Sequence, residues 1–267
     1  MGYVGYVTIN STEYESAQIS QMQNASETIV LMFDVPQVNI DGQPCPGTPT
    51  VADLDGNVYN TVLIGNQCWM KENLRTTKYA DGTAIAQGSN TSYDTGYWYY
   101  PDGNFSNMST YGLLYNWKAV MHNSSSSSTN PSGVQGICPN GWHVPSDAEW
   151  TQLTDYVSSQ SGYVCGNDNT YIAKALAATT GWEGDSYETC AVGNTPADNN
   201  ITGFSALPAS TYPVSGAFGN GAYFWSTTED GYDGMAAYFR YLHNLNAIVG
   251  RYPYGKDYGF SVRCIRD

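Results

Sequence analysis

The chain has 267 residues, enough for one large domain or two small ones with a proper core. Only 13% of residues are charged, and 24 acidic against 10 basic side chains give a net charge of −14. That balance argues against nucleic acid or anionic lipid as a partner, because both select for clustered Lys and Arg. No apolar run approaches the roughly 20 residues of a membrane span.

The start, Met1-Gly2-Tyr3, lacks a basic and then apolar leader and reads as initiation on a mature chain whose export signal has been removed. Tyr (23) and Gly (28) are abundant, a vocabulary of short strands, many loops and aromatic-polar recognition surfaces. Six cysteines, at 45, 68, 138, 165, 190 and 264, have no zinc-like spacing and imply an oxidising, extracytoplasmic setting. Three bridges allow fifteen connectivities. The pairing expected is Cys45–Cys68 and Cys165–Cys190 as local loops, with Cys138–Cys264 tying the last strand to mid-chain.

Residues 1–44 form a β-rich leader or appended subregion, with strand composition at Tyr3–Ile9 and Glu27–Phe33. Next comes Asp53-Leu54-Asp55-Gly56-Asn57. Asp53, Asp55 and Asn57 resemble the start of a calcium loop, although the closing Glu is missing. The other reading is a hairpin turn whose Asp-Gly supplies the positive φ. Tyr97-Trp98-Tyr99-Tyr100 suits packing better than a sugar platform, and Tyr111–Met121 is expected to be a short helix. Ser146 and Glu149 form a capping box, with Trp150, Leu153 and Val157 on one face, which predicts a helix over 147–158. A second helix is expected over 171–178. The end of the chain frames an irregular aromatic-polar stretch, 238–255, between strand-like text at Ala222–Ser226 and Tyr258–Cys264.

Several segments together carry a resemblance: Thr50–Tyr59, Ile64–Leu74, Gly136–Ser146, Gly203–Ala209, Phe224–Glu229 and Gly259–Cys264. From about Cys45 to Asp267 the chain resembles the Fibrobacter succinogenes major paralogous domain, common in secreted and surface proteins of Bacteroidetes. The resemblance implies an α+β, C-type-lectin-like fold related to the formylglycine-generating-enzyme group, with small mixed sheets, two main helices, long loops and disulfides. It supplies no defined activity. A narrower resemblance, to variable proteins of diversity-generating retroelements, implies that 230–258 is randomised by mutation of template adenines. Every residue from Tyr241 to Gly255 belongs to the set that such mutation of Asn codons yields, whereas Met235 and Lys256 do not.

The chemistry points the same way. His122, His143 and His243 are the only histidines, His143 suits a structural hydrogen bond, and no hydrolase or phosphate-loop motif occurs. The expected function is non-enzymatic binding of a protein or glycan on another cell, host or phage surface, without cofactor unless calcium. Its face would comprise Tyr232, Asp233, Tyr238, Tyr241, His243, Leu245, Ile248, Arg251, Tyr252 and Tyr254, since exposed Tyr with Arg is the composition of a hot spot. The alternatives are an ordinary solvated loop, a structural surface or pilus-tip subunit joined through 1–44, and a glycan-active enzyme.

Overall fold

A computed structural model describes residues 41–214 and 218–266, together with the backbone of two short strands near the start. The chain divides into two compact units, Met1–Val38 and Asn39–Asp267. In the first, β1 (Val7–Ile9) pairs antiparallel with β2 (Thr12–Tyr14), at the start of the polar stretch; Glu27–Phe33 falls outside the described residues. The second unit includes Asp41, whose carboxylate accepts hydrogen bonds from Gly65 N at 2.7 Å and from Tyr156 and Tyr163 Oη at 2.8 Å each.

The second unit is a mixed α+β structure of small sheets. Strands β3 (Thr50–Ala52), β4 (Val58–Ile64), β5 (Gln67–Met70) and β12 (Ile265–Arg266) form one sheet in the order β12-β5-β4-β3. The β-branched text of β4 suits a buried strand, and the tight Gly65-Asn66 link joins it to β5 in antiparallel register, Ile64 opposite Gln67. A second sheet joins β6 (Ala86–Gln87), β7 (Tyr97–Tyr99) and β8 (Leu114–Tyr115). In it Trp98 and Tyr99 are buried as packing residues. The third sheet, β9 (Gly221–Glu229), β10 (Ala236–His243) and β11 (Gly250–Gly255), is an antiparallel meander with β11 at its edge.

Helices are few among the described residues. The expected helix at 111–121 is split: α1 (Met108–Tyr111) ends at Gly112, β8 intervenes, and α2 (Trp117–Met121) starts at an Asn116 cap. Helix α3 (Asp147–Ser159) has the full reciprocal capping box of Ser146 and Glu149 and buries Trp150, Leu153 and Val157. The second main helix is shorter than expected: α4 (Ala173–Leu176) stops because Ala177 leaves to bridge Ala206. Nor is Tyr258–Cys264 a regular strand. It is an extended run whose Phe260 and Ser261 make single bridges to Tyr115 and Phe224. Three disulfides, Cys45–Cys68, Cys138–Cys264 and Cys165–Cys190, use all six cysteines. No described helix is long and apolar enough to cross a membrane.

Two aromatic clusters fill the core. In one, Trp69 and Trp150 rings lie 4.6 Å apart with Phe204 and Phe224 around them. In the other, Trp225 packs on Phe260 at 4.4 Å, and its indole donates to Tyr115 O at 2.8 Å.

Between the clusters lies a fully buried cation. Arg263 donates to Asn73 Oδ1 (2.7 Å), Met70 O (3.2 Å), Phe204 O (2.6 Å) and Ser205 O (2.9 Å), and sits 4.7 Å over the Phe204 ring. Burial pushes its guanidinium down to about 9, so it stays charged at neutral pH. Ser205 reaches this site through a left-handed φ of 58°, held by hydrogen bonds from and to the Asn200 side chain.

Replacing Arg263 with Met would leave several buried acceptors without donors. A loss of about 3–5 kcal/mol is expected in urea denaturation, with Lys unable to restore the fork geometry. An unchanged midpoint in Arg263→Met would show that these carbonyls do not depend on the guanidinium.

Candidate functional site

The sequence expectation of an irregular 238–255 is corrected: the stretch is a regular hairpin. Strand β10 pairs with β11 in register Ala237–Tyr254, Phe239–Tyr252, Arg240–Arg251 and Tyr241–Gly250, and with β9 through Phe239–Trp225, Arg240–Phe224 and Tyr241–Tyr223. Successive side chains alternate across the sheet. One face therefore carries Tyr223, Trp225, Phe239, Tyr241, Tyr252 and Tyr254, and the other carries Phe224, Tyr238, Arg240, Leu242 and Arg251.

The second face is covered by α3. Asp147, the first residue of the helix, pairs with Arg240 Nη1 and with Arg251 Nη2 at 2.9 Å, and accepts from Arg251 Nε at 3.0 and 2.9 Å. Arg240 Nη2 also donates to Asp147 O (3.1 Å) and Thr151 Oγ1 (2.8 Å). Arg251 lies 3.8 Å over the Tyr238 ring. Half-burial opposes ionisation of Asp147, but the bond from Arg251 and the charge of Arg240 outweigh it and hold the carboxyl below its ordinary value of 3.8.

The first face is only partly covered. Trp225 and Phe239 are buried under Phe260, and the exposed aromatics concentrate on the edge strand. Tyr252 is 61% exposed and Tyr254 45%. The Tyr241 ring lies so close across Gly250 that a Cβ there would fall 1.9 Å from Cε1, so glycine is what lets the ring lie flat. Pro253, opposite Tyr238, leaves this strand without one N–H.

The loops sit at opposite ends. Residues 230–235 turn through Asx bonds, Tyr232 N to Asp230 Oδ1 (3.2 Å) and Met235 N to Asp233 Oδ1 (2.8 Å). Buried Lys256 ties this loop down: it donates to Gly234 O at 2.6 Å, pairs with Glu229, lies 4.3 Å over Trp117, and its amide donates to Met235 O at 2.9 Å. At the other end, residues 244–249 are anchored by Gly193 N to Asn244 O (2.7 Å) and Ala173 N to Ala247 O (2.9 Å), with Leu245 and Ile248 exposed. Half-buried His243 accepts from Leu245 N at 3.3 Å, and burial lowers its pKa.

The ten expected residues thus form four groups rather than one patch. Tyr232, Asp233 and Tyr254 share one end, and His243, Leu245 and Ile248 lie about 25 Å away along the strand. Between them Tyr241 and Tyr252 lie on one face while Tyr238 and Arg251 lie on the other, committed to α3. Sequence reasoning missed Tyr93, Asp257 and Tyr258, which gather against Gly255 beside Tyr254. An added Cβ on Gly255 would meet Asp257 Oδ1 at 2.7 Å and Tyr93 Oη at 3.2 Å, and Tyr254 and Tyr258 rings are 4.6 Å apart. The Asp257-Tyr258 pair directly after β11 was a usable signal, whereas nothing marked Tyr93.

Asp53-Asn57 is the turn of the β3–β4 hairpin, with Gly56 at φ 81°. Its carboxylates already have protein donors: Asp53 takes the amides of Asp55 and Asn57 at 2.9 Å and Tyr59 Oη at 2.6 Å, and Asp55 takes Thr77 N at 2.6 Å and Lys78 Nζ at 3.0 Å. His143 Nε2 meets the capping Glu149 at 2.6 Å in the interior. A small depression lined by Leu54, Lys78, Ile137 and Asn140 lies outside the hairpin.

Fold and site define a disulfide-bonded α+β domain that displays the aromatic edge of a hairpin. The chain belongs to the family of the Fibrobacter succinogenes major domain, whose profile matches residues 62–266. Neither a curated protein nor a solved structure matches it.

The Asp147 pairings generate a pH test. Because its folded pKa lies below 3.8, the stabilisation it confers is present above about pH 4 and lost as pH falls through the folded value. Asp147→Asn is expected to be less stable than the wild type at pH 7, with the gap narrowing below pH 4 in denaturant titrations. A gap independent of pH would remove the carboxylate from this role.

Proposed function

We propose that the chain is a non-enzymatic, extracytoplasmic binding protein, an adhesin or receptor that is secreted or held at the cell surface. In this reading it has a C-type-lectin-like fold and presents the 230–258 hairpin to a protein or glycan on another cell, host or phage surface. The observation that carries it is the one-sided anchoring of β10–β11. One face is fixed by Asp147 and α3, while the other ends in Tyr252 and Tyr254, with Tyr232, 92% exposed, on the adjoining loop. Exposed tyrosines on a rigid strand offer contact area with little ordering cost on binding.

The same anchoring supports diversification of the exposed positions by a retroelement. Lys256, outside the adenine-mutable set, is a buried tether, and the substitutable tyrosines of β11 point outward. Absence of enzymatic activity is supported by the cysteines, all disulfide-bonded and therefore not available as the reactive pair that formylglycine generation requires. A second reading, a structural or pilus-tip subunit, is supported by the separate compact unit Met1–Val38.

Two experiments test the reading. The purified chain is expected to bind a subset of bacterial and host cell surfaces or arrayed glycans, and Tyr232/Tyr252/Tyr254→Ala to lose at least tenfold in affinity with unchanged thermal unfolding. Binding indifferent to the triple variant would place recognition elsewhere. Sequencing the gene across a natural population is expected to find substitutions at adenine-derived codons of 230–258. An invariant stretch would leave a fixed adhesin and end the diversification proposal.

A further inference from the structure

The end of the hairpin that holds Tyr254 gathers tyrosine rings and carboxylates. Tyr93, from the loop before β7, is 40% exposed and lies beside Gly255 and Asp257, at the end of the hairpin where Lys256 holds the 233–235 loop through Gly234 O and Met235 O. Its phenol is pushed up by burial, by its pairing with Asp257 and by the charge of Asp233. Asp257 is held to Tyr93 by this pairing, its Oδ1 is buried against Gly255 without a hydrogen bond of its own, and among the described residues neither Asp233 nor Asp257 makes an ion pair.

The basic residues of the hairpin do not neutralise them. Arg240 and Arg251 are engaged on the opposite face by Asp147, and Lys256 is turned inward to Glu229, Gly234 O and Trp117. Two unneutralised carboxylates therefore border a set of tyrosine rings on a chain whose net charge is already −14.

The shape of the ring cluster narrows the choice. Tyr254 and Tyr258 meet at 87°, which makes a corner of a ring face and a ring edge rather than a flat platform. A pyranose stacks on a flat ring, and a neutral sugar brings hydroxyl donors but no charge to set against two carboxylates. A lysine or arginine side chain suits both features: its stem packs against a ring, its head is attracted by ring faces, and carboxylates at the rim complete its charge.

Resting on the reading of this hairpin as a binding face, we propose that Tyr93, Tyr254 and Tyr258 with Asp233 and Asp257 form the subsite for a basic side chain, lysine or arginine, presented by a protein partner. This subsite lies mostly outside the ten positions read from the sequence, and it makes the ligand a cationic polypeptide surface rather than a sugar. The acidic chain would also draw such a partner in by long-range attraction that weakens with salt.

The test uses the full chain and three unstructured Gly/Ser peptides of equal length, carrying four Lys and Arg, four Glu, or neither, together with neutral oligosaccharides. Titration calorimetry at low and high salt is expected to show binding of the basic peptide only, weakened by salt. Asp233→Asn, which keeps the Asx turn, is expected to weaken binding about threefold, and Asp233→Asn with Tyr254→Ala about tenfold. Asp168→Asn, an equal loss of charge on an exposed distant loop, is expected to leave affinity within about twofold. Equal weakening by Asp168→Asn and Asp233→Asn would reduce the effect to net charge and overturn the subsite, as would basic-peptide binding unaffected by the double variant or no basic-peptide binding at all. Binding of neutral sugars that Tyr252→Ala abolishes, without basic-peptide binding, would overturn the subsite while leaving the binding face intact.

Discussion

The architecture depends on a guanidinium that has lost its water. Arg263 is enclosed between two aromatic clusters and discharges its hydrogen-bonding capacity onto three backbone carbonyls and one side-chain amide. A buried cation without a bonded carboxylate is costly, so each acceptor must be delivered in place. Met70 and Asn73 come from the segment after β5, Phe204 and Ser205 from a strained turn, and Arg263 from the run that carries the Cys138–Cys264 bridge. Three distant parts of the chain converge on one side chain. The resemblance motifs around 64–74, 203–209 and 259–264 are in large part the sequence record of this convergence.

On that base the third sheet is held asymmetrically. Strands β9 and β10 are sandwiched, with α3 on one side and the Phe260 run on the other, whereas β11 meets the protein through β10, the arginine that reaches Asp147, and Tyr254 and Gly255 at its end. The sheet thus separates residues that hold it in place from residues exposed at its edge. Tyr238, Arg240 and Arg251 position the hairpin, Gly250 accommodates a ring, and Lys256 closes a loop. Tyr252, Tyr254 and Tyr232 have few internal duties.

Features governed by near neighbours were legible in the sequence. The helix at 147 announced itself because Ser146, Glu149 and the Trp150-Leu153-Val157 stripe are local, and the Asp-Gly turn at 55–56 for the same reason. The family could be recognised because its motifs are short and ordered. The hairpin could not be read as strands, since β10 is covered on both faces and β11 is exposed on both, so neither shows the alternation that marks a half-buried strand. The helix expected at 171–178 was too long because its alanines serve a close approach to Ala206, a tertiary fact. Tyr93 joins the hairpin from more than a hundred residues upstream, and Arg251 looked like a free recognition group because Asp147, its partner, is equally distant in sequence.

Pro253 stands midway along β11, an edge strand whose outer side pairs with no other described strand. A free edge of this kind invites another chain to zip onto it, and many copies crowded on a surface would offer such edges to one another. The imide breaks the row of donors there. Neighbouring copies thus have no continuous backbone ladder to share. One missing hydrogen guards the sheet against edge-to-edge pairing.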